Sequence, residues 1–118
     1  MVDRNVLPDS QRSETVRAQL ASFHPEVVGR VQAAVASHDV VVVGMAQNPF
    51  VKKARRALAD AKISYEYVEY GGYLSMWKER LAIKLWSGYP TYPQVFVKQV
   101  LIGGYRELQV MLDAGALR

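Results

Sequence analysis

The chain is predicted to be an α/β protein, a four-stranded mixed sheet flanked by helices, with a helical extension at its N-terminus. Three observations predict this. VVVV at 40–43 is a continuous β-branched run, the pattern of a strand covered on both faces. The elements then alternate strand, helix, strand, helix, and a strand–helix–strand unit forces parallel pairing. Finally, QVFV (94–97) and VLI (100–102) are joined by Lys98-Gln99 alone, a link of hairpin length.

Each element has its own local reason. Residues 1 to about 12 read as a mobile arm, and ETVRAQLAS (14–22) as a short helix. Pro25 opens a clearer helix, with Val28, Val31 and Val35 at helical spacing, which ends at His38-Asp39. After the first strand and a loop, residues 49–61 form a helix with Val51, Ala54, Leu58 and Ala61 on one face. Lys52, Lys53, Arg55, Arg56 and Asp60 lie mostly away from that face. ISYEYVEY (63–70) alternates as a second strand should, and Gly71-Gly72 breaks it. Leu74, Trp77, Leu81 and Leu85 mark a further helix, stopped near Gly88 and Pro90. Gly103-Gly104 turns the chain into a last helix with Tyr105, Leu108 and Leu112 inward. The organisation is thus an N-terminal arm with helices over 1–38 and the α/β domain proper over 39–118.

Composition narrows the function classes. The 118 residues are 50% hydrophobic and 22% charged, which suits a single core. Fifteen basic against 11 acidic residues give a net charge of +4, a mild bias toward anionic ligands. No recognisable nucleic-acid module accompanies the basic cluster at 52–56, so no nucleic-acid partner is expected. The absence of cysteine removes disulfides, thiol catalysis and thiolate metal ligands together. With His24 and His38 the only histidines, no metal site is expected. No apolar run approaches the roughly 18 residues needed to cross a bilayer, and MVDRNVLPDSQRSE lacks the apolar stretch of a secretory signal. The expected setting is cytoplasmic, without membrane association.

The loop GMAQNPFVKKAR (44–55) has the form of a reactive site, a buried strand leading through a short loop into a proline-opened basic helix. It contains no nucleophile. Asparagine is among the best N-cap residues and proline suits the first helical position, so Asn48-Pro49 is expected to cap that helix. The alternative role for Asn48 is an amide that hydrogen-bonds a ligand over the helix N-terminus. No Ser-His-acid or paired-carboxylate arrangement stands out elsewhere.

Element order and four landmarks resemble the glutaredoxins, on the thioredoxin fold, over about residues 39–113. The landmarks are the loop before the Asn48-Pro49 helix, Thr91-Tyr92-Pro93, the strand pair and Gly103-Gly104. WSGYPTYPQVFVKQVLIGG (86–104) is most similar to the monothiol class. Where that family carries Cys-Pro-Tyr-Cys or Cys-Gly-Phe-Ser, this chain has Asn48, Pro49, Phe50 and Val51. An amide cannot form a mixed disulfide or ligate an iron–sulfur cluster, so neither family chemistry is available through these residues. The resemblance implies a glutathione-type groove. A cis-proline turn at Thr91, Tyr92 and Pro93 would face the ligand's peptide, and Gly103 and Gly104, with Tyr105 and Arg106 after them, would offer N–H donors to a carboxylate. Arg80 and Lys84 match basic positions near the glycine end.

The family's usual strand-to-loop lysine is Met45 here, and the aspartate that meets the ligand's ammonium is Arg106. Glutathione is therefore expected to bind weakly, and no cofactor is expected. The resemblance implies a redox-inactive binding or adaptor domain whose client is a small anionic peptide or a protein, with a BolA-type partner as the family's precedent. Two alternatives are a thiol–disulfide or iron–sulfur homeostasis protein acting through a partner's cysteine, and a structural or oligomerising domain.

Overall fold

A computed structural model describes residues 5–117, so part of the arm expected over 1–12 lies outside the described residues. Asp9–Gln11 forms one 3-10 turn, followed by helix α1 (Glu14–Ala21) and helix α2 (Pro25–Ser37). Ser13 caps α1 by accepting the Val16 N–H, and Pro25 occupies the first turn of α2. Strand β1 (Val40–Gly44), helix α3 (Pro49–Asp60), strand β2 (Glu66–Glu69) and helix α4 (Trp77–Ser87) follow. The hairpin of β3 (Gln94–Val97) and β4 (Val100–Gly103) leads to helix α5 (Tyr105–Asp113).

The sheet order is β2-β1-β3-β4, with β1 parallel to β2 and antiparallel to β3, and β3 antiparallel to β4. The valine run is the reason β1 sits near the centre. All five residues of β1 are buried because α2 and α4 cover one face while α3 and α5 cover the other. Val41 and Val43 point into a layer with Val27, Val31, Ile83 and Phe96, whereas Val40 and Val42 point into one with Ala54, Leu58 and Leu108. Helix α2 therefore shares a core with β1, and the boundary at residue 38 falls between two elements that pack on each other. Gly44 is required by that packing. A Cβ there would stand 2.7 Å from Val51 Cγ1 and 3.1 Å from the Tyr67 ring.

Two expectations need revision. The second strand is shorter than 63–70: only Glu66–Glu69 pairs with β1, at Val41–Gly44, and the alternation of Ile63–Tyr65 runs on outside the ladder. In α4 the predicted helix is present but its apolar stripe faces outward. Leu74, expected to mark this helix, precedes its start at Trp77 and is 101% exposed; Trp77 is 60% exposed and Leu81 and Leu85 are also exposed, while Arg80, Ala82 and Ile83 are the buried positions. A guanidinium can occupy the inward face because carbonyl groups receive it. Arg80 Nη1 donates to Tyr70 O at 2.8 Å and Ser75 O at 2.7 Å. The stripe borders a second cleft of about 550 Å³ between the N-terminal segment, α2 and α4, walled by Leu20, Phe23, Leu85 and Trp86.

Candidate functional site

The site begins at the end of β1. Asn48 Oδ1 accepts the N–H groups of Phe50 at 2.9 Å and Val51 at 3.1 Å, with Pro49 in the first turn. The amide thus caps α3, and Val51, 2% exposed, belongs to the core. Beside this cap lies a cleft of about 500 Å³. One side of it is the Pro90–Pro93 turn, with a cis Tyr92–Pro93 peptide. The start of α5 forms another side.

Of the residues the sequence pointed to, Asn48, Lys84, Thr91, Tyr92, Pro93, Gly104, Tyr105 and Arg106 line this cleft. Among the described residues, none bonds the main-chain N–H or C=O of Tyr92, so both remain for a ligand. The Tyr92 hydroxyl points the other way and donates to Arg80 O at 2.6 Å, and burial pushes its phenol pKa up. Lys84 Nζ stands 5.6 Å from the Tyr92 ring centroid, which places its charge at the cleft wall.

Two groups are placed differently from their sequence reading. Arg80 does not line the cleft; its guanidinium is spent on the Tyr70 and Ser75 carbonyls behind the sheet. Residues four apart share a helix face, but Lys84 reaches toward the cleft and Arg80 inward. Gly103 and Gly104 do not leave a row of open donors. Both are buried, and the Gly104 N–H donates to Glu107 Oε1 at 2.8 Å, the reach-back of a third-position glutamate on a helix start. Gly103 has φ +127°, and a Cβ there would lie 2.5 Å from Glu107 Oε1, so this glycine makes room for the carboxylate. The remaining free donors are the N–H groups of Tyr105 and Arg106, which open α5.

Sequence reasoning passed over Phe50, Tyr89, Pro90 and Glu107 as cleft residues. The Tyr89 hydroxyl donates to Glu107 Oε1 at 3.3 Å. The signal for Glu107 was present in GGYRE, where a glutamate falls at the third helical position. The Gly104 N–H holds the Glu107 carboxyl below its ordinary range, helped by the Tyr89 hydroxyl and the Arg106 charge, despite some opposing desolvation. Lys53 of α3, 5.3 Å from the Phe50 ring and 6.0 Å from the Tyr105 ring, lines a neighbouring cleft with Arg56, Asp60 and Gln109 rather than this one. Among the described residues no cluster of three or more His, Asp or Glu side chains could hold a metal ion, and no helix is long and apolar enough to cross a membrane.

A mixed β2-β1-β3-β4 sheet with helix pairs on both faces, and a cleft between a capped helix start and a cis X-Pro turn, define a thioredoxin-like domain of glutaredoxin type. The glutaredoxin family model matches residues 40–102, and the chain belongs to the glutaredoxin family. It is 41% identical over 108 residues to a glutaredoxin-like protein of Dictyostelium discoideum, covering 92% of this chain and 88% of that one. Among solved structures, oxidised glutaredoxin 2 of Chlamydomonas reinhardtii superposes with a TM-score of 0.66 at 26% identity, over 79% of this chain and 88% of that one. A buckwheat glutaredoxin–glutathione complex shares the fold, with a TM-score of 0.66 at 20% identity over 90% of each chain. The chain has no cysteine, and so no thiol of its own for disulfide exchange.

Proposed function

We propose that this protein is a non-covalent binding domain, a redox-inactive adaptor that holds a small anionic peptide, or the extended segment of a protein, in the cleft between α3, the cis-proline turn and α5. One observation carries the reading. The cleft presents an open main-chain edge, the unpaired N–H and C=O of Tyr92, beside Lys84, while the capping position that overlooks it holds an amide. Main-chain pairing to such an edge gives affinity without demanding one sequence, and flanking cations select negative ligands. Glutathione has the right size and charge, and the glutathione complex of a structural neighbour supports testing it first. Its binding is expected to be weak because no mixed disulfide can hold it.

The test is a titration of isotope-labelled protein with glutathione and with short acidic peptides, followed by amide shifts. The reading expects movement at Thr91, Tyr92 and residues 103–106, saturating in the millimolar range for glutathione. Unchanged amides there with every ligand at millimolar concentration would remove the reading.

A further inference from the structure

Resting on that reading of the cleft, we propose that its charge arrangement selects anionic ligands without a free ammonium group, and that Arg106 is the residue setting this preference. The cations come from separate elements: Lys84 of α4 over the Tyr92 ring and Arg106 at the second position of α5, both on the cleft lining. The unpaired N–H groups of Tyr105 and Arg106 add the positive end of that helix.

Against these stands Glu107, the one carboxylate on the cleft lining among the described residues. Its Oε1 is engaged by the Gly104 N–H and the Tyr89 hydroxyl, and its charge is offset by the neighbouring Arg106. The surrounding charge is already positive, since Lys84 and Arg106 outnumber this one carboxylate, so an approaching ammonium meets net repulsion there. A carboxylate meets cations and free donors. Arg106 is exposed and Lys84 half-buried, so both charges act through water and the discrimination is moderate. At separations of about 6 Å and high effective dielectric, one such interaction is worth roughly three- to tenfold in affinity.

The experiment compares three probes on the full chain: glutathione, its N-acetyl derivative, and its diester with both carboxylates blocked. Amide shifts at residues 91–93 and 103–106 report binding, at low and at high salt. N-acetyl-glutathione is expected to bind about three- to tenfold more tightly than glutathione, with the advantage shrinking in salt, and the diester is expected not to bind. Arg106→Asp lies on an exposed position and is expected to reverse the order of the first two probes. Glu107→Gln keeps an oxygen for the Gly104 N–H while removing a negative charge, and is expected to tighten N-acetyl-glutathione further. Equal affinity for the first two probes, or tighter binding of glutathione, overturns the selectivity while leaving the cleft as a binding site. Silence at these amides with all three probes removes the cleft reading and this inference with it.

Discussion

At residue 48 an amide oxygen receives two N–H groups that open α3, and this explains how the helix start survives without a sulfur atom. Asn48→Ala leaves those donors without a side-chain partner and is expected to cost about 1 kcal/mol, read as a lowered urea midpoint at unchanged slope. Asn48→Cys supplies the opposite test. A thiol at the positive end of α3 should titrate below the ordinary cysteine range, so oxidised glutathione should add one glutathione mass to the variant. An unmodified variant after prolonged exposure would show that the position is not presented to a ligand in the cleft. The cap was legible in the sequence because Asn-Pro before a helical pattern is local chemistry. The contact between Glu107 and the Tyr89 hydroxyl was hidden, because the two residues are 18 apart and meet only in the folded chain.

At the scale of elements, α4 shows how periodicity can identify a helix and still misplace its face. Trp77, Leu81 and Leu85 repeat at helical spacing, but the face that packs is chosen by Ile83 and by carbonyls that receive the Arg80 guanidinium. Arg80→Ala is expected to destabilise by about 2–3 kcal/mol, since it strands the buried Tyr70 carbonyl and removes the partner of the Ser75 carbonyl, whereas Leu85→Ala on the exposed stripe should change stability by about 0.5 kcal/mol or less. Paired denaturation curves check both. The start of α5 predicts a pH dependence. Glu107 has a folded-state pKa below its unfolded value, so its contribution is fully present above the unfolded value, near 4.3, and is lost as pH falls through the folded one. Glu107→Gln should therefore lose less stability than the parent when the medium is taken from about pH 6 to about pH 3.

For the molecule as a whole, the two apolar layers on either side of β1 hold the cleft's elements in place. Leu58 and Leu108 are fully buried where α3 and α5 meet the sheet. Leu58→Ala is expected to cost about 2–5 kcal/mol, a large share of a stability of order 5–15 kcal/mol, and calorimetry would show a correspondingly lower melting temperature. The exposed apolar surface of α4 and the neighbouring cleft under Phe23 and Trp86 lie apart from the cleft at the cis-proline turn.

The amino-acid sequence by itself determined the order of strands and helices, the parallel–antiparallel pairing, the helix caps and the loss of thiol chemistry. Each of these follows from local pattern, or from a residue type that the chain lacks. Tertiary structure decided which way Arg80 and Lys84 point, that the Tyr89 hydroxyl meets Glu107, and that cations of α4 and α5 share one cleft. Those facts depend on where distant carbonyls, hydroxyls and charges meet after packing, which spacing along the chain does not encode.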